Sequence, residues 1–203
     1  MSIAVPLGPR SLVLADTWVH SRTADIVTIV GATTLTALAA QIVIPVPGSP
    51  VPVTGQTFAV LLAAAAIGPL RSSIAQLLYI GLALMGMPVL AGQSGGVEVV
   101  FGATGGYLVG FVAASFVVGT LARRGWSRTP VRVGLAYLAG SAVIYTFGVL
   151  GLALVTGQSL SWSVANGLTP FLLGDLLKAA LAAGLLPLAW LGVSKLRRED
   201  PSA

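Results

Sequence analysis

The chain of 203 residues has no cysteine, a single histidine and very few charges. Without thiols there is no disulfide, no thiolate metal site and no cysteine nucleophile. His20 stands alone in the N-terminal segment, which leaves a histidine-based metal site or proton relay without material. No G-x-x-x-x-G-K-[ST] phosphate loop occurs, which excludes ATP hydrolysis by that route. No Ser/His/Asp or metal-ligand grouping stands out, so no catalytic residue, metal or cofactor is expected, and the chain does not read as an enzyme. Charged residues make up 8% of the chain, against roughly 25% in an ordinary soluble domain. A water-facing shell cannot be built from so few. An internal repeat is also missing, which weakens a self-contained transporter made of inverted halves.

What is present is apolar. Hydrophobic residues make up 56%, and the mean hydropathy is +0.94. Six apolar stretches, at 25–44, 54–69, 72–91, 104–122, 133–156 and 168–193, are set against the roughly 20 residues that a spanning helix needs. Backbone groups in lipid must pair within their own segment, so these stretches are helices. The fold class expected is an all-α membrane protein with six transmembrane helices. A membrane domain over 25–193 would lie between tails at 1–24 and 194–203. Residues 1–22 do not read as a cleaved signal, because Pro6, Pro9, Arg10, Asp16 and Arg22 interrupt any apolar core. A surface helix near Leu12–Trp18 is a candidate there.

The formal net charge of +5 reports orientation rather than nucleic-acid binding. With six spans, Arg10, Arg22, Arg71, Arg123, Arg124, Arg128, Arg132, Lys195, Arg197 and Arg198 all fall on one side. The opposite loops, 45–53, 92–103 and 157–167, contain no Lys or Arg. Both termini are therefore expected in the cytoplasm. Trp126, Trp162 and Trp190 sit near span ends, as an interfacial aromatic belt requires. The external loop IPVPGSPVPVTG (44–55) has four prolines, which favour a stiff, extended course. The second, AGQSGGVEVVFGATGG (91–106), is glycine-rich. Each either folds over the external face or runs as an ordinary surface loop.

The remaining basic residue lies inside a span. In PFLLGDLLKAA (170–180), Asp175 and Lys178 are one turn apart on a helix face. If the span starts near Leu168, Asp175 lies about 10 Å in and Lys178 about 15 Å, near the midplane. Each charge costs roughly 2.5–3.5 kcal/mol at that depth, which argues against lipid exposure. A self-neutralising pair, a proton or ion relay and a polar ligand pocket are the readings. The pocket is favoured, because Asp accepts N–H donors and Lys donates to a carbonyl or carboxylate. Other spans offer further candidates. Thr54, Gln56 and Thr57 begin the second, as caps or as pocket members. In FGATGGYLVGF (101–111), Gly102, Gly106 and Gly110 form a packing ridge, while Thr104, Gly105 and Tyr107 stand at its external mouth. Ala32, Thr36 and Ala40 make a small-residue ridge on the first span, for internal packing or for docking another membrane protein. Gln76 suits an interhelical hydrogen bond.

VPVTGQTFAVLLAAAAIGP, AGQSGGVEVVFGATGGYLVGF and PFLLGDLLKAALAAG, in this order, resemble the BioY family. These are the biotin-specific substrate-capture (S) components of energy-coupling factor (ECF) transporters, and the resemblance runs from about residue 25 to 193. It implies an S-component-like six-helix bundle, multi-pass in a bacterial plasma membrane, that captures biotin and imports it for an ATP-driven transporter. It implies that Asp175 and Lys178 bind the vitamin, with Gln56, Thr104, Gly105 and Tyr107 as pocket neighbours. The implied partners are a membrane-embedded coupling subunit and two ATPase subunits, with no nucleic acid. Docking would use helix one, where relatives carry an Ala-x-x-x-Ala row and this chain has Ala32–Thr36–Ala40. Ala103 stands where the family pattern usually has proline. A stand-alone proton-coupled carrier of a small polar vitamin is the competing reading.

Overall fold

The computed structural model describes residues 13–199, with side chains through Lys195. Six long helices fall on the six apolar stretches. They are α1 (Arg22–Ala39), α2 (Gln56–Ile67), α3 (Pro69–Leu84), α5 (Gly105–Leu121), α6 (Pro130–Thr156) and α8 (Leu172–Glu199). Two short ones, α4 (Val97–Val100) and α7 (Leu160–Gly167), belong to the connections. Two-residue strands β1 (Val43–Ile44) and β2 (Val53–Thr54) pair antiparallel, with Val43 opposite Thr54.

The helix limits follow from local chemistry. Ser21 caps α1 by accepting from the Ala24 amide at 3.1 Å, and Ser159 caps α7 by accepting from Trp162 at 3.2 Å. Between α2 and α3 the chain turns at Gly68, whose φ of +86° suits glycine. Pro69 follows as the first residue of α3, where its missing N–H costs nothing. Pro130 opens α6 in the same way, and left-handed Gly157 closes it.

Among the described residues, three segments are long and apolar enough to cross a membrane: Gly105–Trp126, Pro130–Thr156 and Leu160–Lys195. α1, α2 and α3 have 18, 12 and 16 residues, short of the roughly 20 that a perpendicular span uses. The outward surface is leucine-rich. Leu154, Leu173, Leu176, Leu181 and Leu188 are exposed, while Thr33, Thr36, Gln56, Gln76 and Ser115 are buried. Water would drive the opposite sorting, so the surface is solvated by hydrocarbon.

The central helix is α5, which packs on α2, α3 and α6; α1 lies on α3 and α2, and α8 on α6 and α2. Backbone contact makes the α5–α6 pair close. A side chain at Gly110 would meet the Ile144 backbone at 2.9–3.0 Å, and one at Gly106 would collide with the Phe147 carbonyl. Gly106 and Gly110 thus form the packing ridge that their spacing indicates, whereas Gly102 lies in the turn before α5.

The row Ala32–Thr36–Ala40 faces inward, with exposures of 7%, 0% and 0%. Thr36 Oγ1 donates to the Ala32 carbonyl at 3.0 Å and accepts from Gln76 Nε2 at 3.3 Å. Thr33 Oγ1 donates to the Ala75 carbonyl at 3.0 Å. The row packs inside the bundle, with Thr33 and Thr36 on the seam between α1 and α3, as the internal-packing reading has it. The hydroxyl is better satisfied against Gln76 than it would be against lipid.

The N-terminal segment is no free tail where it is described. Leu14–Thr17 form a 3₁₀ turn, and Val13, Ala15 and Val19 are buried against the bundle. Arg71 holds this arrangement, with Nη1 on Asp16 at 2.6 Å and Nε on Asp25 at 2.6 Å. Residues 1–12 and 200–203, with the side chains of Arg10, Arg197 and Arg198, lie outside the described residues.

Candidate ligand-binding site

The start of α2, the start of α8 and the two proline- and glycine-rich loops meet at one end of the bundle around a cavity of about 220 Å³. That is below the roughly 300–1,000 Å³ of drug-sized pockets, so the cavity suits a compact ligand. Its roof is Pro50, Val51 and Pro52 from the hairpin loop, with Leu90, Ala91 and Ser94 from the second loop. The sequence left open whether these loops fold inward, and they do. Val51 is buried at 5% exposure. Ser49 Oγ donates to the Asn166 carbonyl at 2.8 Å, which fastens the first loop to α7. Gln41 fastens the second, donating to the Leu90 carbonyl at 3.1 Å and accepting from the Gln93 amide at 3.1 Å.

The walls are Thr54, Gln56 and Thr57 of the α2 start, Tyr107, Leu108 and Phe111 of α5, Tyr145 of α6, and Phe171 and Lys178. Three aromatic rings form a continuous face. Tyr107 meets Tyr145 edge-on at 6.4 Å between centroids, and Phe171 lies 6.0 Å from Tyr145.

At the polar corner, Lys178 Nζ donates to Asp175 Oδ1 at 2.9 Å and to Thr57 Oγ1 at 2.7 Å. Thr57 in turn donates to Asp175 Oδ1 at 3.2 Å, and the Tyr145 hydroxyl donates to Oδ2 at 2.5 Å. Both carboxylate oxygens are thus engaged. Lys178 uses two of its three N–H donors on these partners. The side chains are 11% and 15% exposed, so the pair is shielded yet not sealed. Asp175 also lies in the first turn of α8, where the helix dipole favours an anion.

The helix that carries the pair starts later than the sequence indicates. α8 begins at Leu172, after a 3₁₀ turn at Thr169–Phe171 that contains Pro170. Asp175 is three residues into the helix and Lys178 six, about 5 and 9 Å from its start. Across the bundle the Asp175 carboxylate meets Tyr145, the sixteenth of the 27 residues of α6.

Of the other expected site residues, Gln56, Thr104 and Tyr107 line the cavity. The Gln56 amide is already committed, accepting from Thr54 Oγ1 at 2.8 Å and donating to the Tyr79 hydroxyl at 2.9 Å. Thr104 Oγ1 donates to the Val99 carbonyl at 3.4 Å. Tyr107 offers its ring only, because its hydroxyl donates away from the cavity to the Gly167 carbonyl at 2.7 Å. Gly105 lies behind the wall. Its amide bonds the Gly102 carbonyl at 3.0 Å, and a side chain there would collide with the Val100 carbonyl. Glycine at 105 therefore serves the turn. Asp175 stands behind Lys178 and reaches the cavity through it.

Tyr145 and Phe171 were missed in the sequence, and Thr57 was noticed only as part of the α2 start. A signal for Tyr145 existed. Tyr137 and Tyr145 lie eight residues apart in α6, about 80° apart around its axis and so on the same side. Both turn inward, Tyr137 donating to the Phe58 carbonyl at 2.9 Å.

Comparison with known proteins bears on this arrangement. Residues 12–195 match the model of a family described as the BioY family. The chain is 35% identical over 167 residues to a protein named biotin transporter BioY from Rhodobacter capsulatus, covering 76% of this chain and 87% of that one. It is 38% identical over 148 residues to a probable biotin transporter BioY from Pyrococcus horikoshii, covering 73% and 85%. Against biotin transporter BioY from Thermotoga maritima, identity is 37% over 140 residues, covering 69% and 81%. Among solved structures, the S-component for biotin from an ECF-type ABC transporter superposes with a TM-score of 0.70. It shares 24% identity and covers 87% of this chain and 92% of that one. At that identity the likeness establishes the fold.

Proposed function

The chain belongs to the BioY family, and on that premise we propose that it captures biotin in the roofed cavity, as the S component of an ECF-type transporter. The observation that carries this reading is the corner of Lys178, Asp175 and Thr57 set into a wall of aromatic and aliphatic side chains. Biotin's ureido ring presents two N–H donors and one carbonyl, and its tail ends in a carboxylate. Lys178 supplies N–H to an acceptor. Asp175 acts through its neighbours, orienting the Lys178 ammonium and the Thr57 and Tyr145 hydroxyls that line the cavity. The fused ring and the aliphatic tail bury their apolar surface on Val51, Leu108, Phe111 and Phe171.

In this proposal the six long helices cross a bacterial plasma membrane, as a domain over 25–193 with both termini cytoplasmic. The roofed end then faces outward, and Arg71, Arg123, Arg124, Arg128 and Arg132 lie toward the cytoplasm. Energy comes from a membrane-embedded coupling subunit and two ATPase subunits. With the Ala32–Thr36–Ala40 row buried, a coupling partner on α1 would meet its outward face at Val27, Gly31, Thr34 and Leu38 instead.

The test is equilibrium binding of labelled biotin to the purified full chain in detergent. Saturable binding of one biotin per chain is expected, and its absence would overturn the reading. Vesicles holding the chain alone under a proton gradient should show no uptake; accumulation there would instead support a self-sufficient carrier.

A further inference from the structure

A second, larger hollow lies on the flank of the bundle, between α6 and α8 beneath α7, with a volume of about 730 Å³. Leu138, Ala142 and Leu150 line its α6 side, Leu176 and Ala179 its α8 side, and Leu168 its top. Its back wall is the pair Tyr145–Asp175. Tyr145 also lines the roofed cavity, so its side chain stands between the two spaces, with Asp175 on the side of the hollow.

The surface offered to an occupant is hydrocarbon apart from the side chain of Ser141. The polar atoms of Tyr145 and Asp175 are turned to each other, and Thr146 Oγ1 donates to the Ala142 carbonyl at 2.8 Å. The two walls belong to segments long and apolar enough to cross a membrane, so the hollow opens onto acyl chains. Its shape suits one. From Leu150 to Leu138 the α6 wall runs twelve residues, about 18 Å at helical rise. The hydrocarbon of one leaflet is about 15 Å deep, half of a roughly 30 Å core. A protein helix would fit less well. Ser141, Ala142 and Ala179 are small, but Leu138, Leu150 and Leu176 of the same lining stand out at 60%, 49% and 64% exposure and hold a second backbone away from them.

We propose that this hollow is a lipid site, which holds an acyl chain of a phospholipid from the leaflet flanking the roofed cavity. The chain lies along the membrane normal with its headgroup above α7. It keeps water from the back of the Tyr145–Asp175 pair, and a bilayer component thereby forms the outer wall of the partition. The inference rests on the membrane setting of α6 and α8 and holds whichever vitamin the cavity takes.

The test reconstitutes the full chain in dioleoyl-phosphatidylcholine vesicles doped with a phosphatidylcholine bearing a photoactivatable diazirine near the chain terminus. Crosslinks are then mapped by peptide mass spectrometry. Labelling at Leu138, Ala142 and Ala179 should exceed that at the open lipid-facing Leu154 and Leu173 by several-fold. Ala142→Trp fills the hollow and should abolish the excess while leaving Leu154 and Leu173 labelled. Ala179→Phe does the same from the other wall, should the first variant fail to fold. Even labelling of hollow and open surface overturns the proposal, as does an excess that survives both substitutions. Crosslinking of the hollow to a second copy of the chain also overturns it.

Discussion

Two ion clusters, at opposite ends of α2, use the same chemistry for different ends. Arg71 joins Asp16 and Asp25, 55 and 46 residues away in sequence, so it clamps the 3₁₀ turn, α1 and α3 together. Lys178 and Asp175 are three residues apart on one helix. A pair so local ties little of the fold together. What it adds is a polar corner, shared with Thr57 and Tyr145, at the edge of a cavity. Shielded charge is costly in either place. At Arg71 the cost is offset by long-range architecture, while at Lys178 it leaves donor capacity for a ligand.

Substitutions separate the two cases. The largest effect is expected on binding at the α8 corner. Lys178→Ala and Asp175→Asn should each weaken biotin binding by about 2–3 kcal/mol, roughly 30- to 150-fold, by calorimetry. Their unfolding transitions should stay cooperative. Wild-type affinity in both would erase the functional half of the contrast. Arg71→Ala should behave inversely, losing about 1–2 kcal/mol of stability because its partners are partly exposed. Its biotin affinity should stay unchanged, and a large loss there would show that the clamp reaches the pocket. Tyr145→Phe should fall next, since it strips one hydrogen bond from the Asp175 carboxylate. About tenfold weaker binding, near 1.4 kcal/mol, is expected in the same titration. Tyr107→Phe should do least to the ligand. Its hydroxyl serves the Gly167 carbonyl, so about 1 kcal/mol of stability is at stake in thermal unfolding, with binding nearly intact.

Much of the site was legible because its signals survive any packing. Two charges within a leucine-rich stretch, one turn apart, announce a polar corner whatever surrounds them. Gln56, Thr104 and Tyr107 flank glycine- and proline-rich loops that must lie at a helix mouth. Directions were harder to read. Whether Ala32, Thr36 and Ala40 face a neighbour or the membrane depends on the rotation of α1 about its axis. In a bilayer both sides are apolar, so the hydrophobic pattern that orients a soluble helix is weak. The same holds for the Tyr107 hydroxyl, which turns to Gly167, sixty residues on.

The sequence by itself determined the medium and the helices. A chain with 8% charge and 56% hydrophobic residues can satisfy its backbone in lipid only by coiling each apolar run upon itself. It also determined that Asp175 and Lys178 meet, since their separation of three residues is a property of the helix. Tertiary structure decided what that pair faces. It started α8 at Leu172 rather than Leu168, brought Thr57 and Tyr145 from distant helices to the carboxylate, and folded both loops into a roof. Those contacts join residues 30 to 118 positions apart. They arise from close packing of α5 on α6 and of α8 on α2 and α6, a geometry that local spacing does not encode.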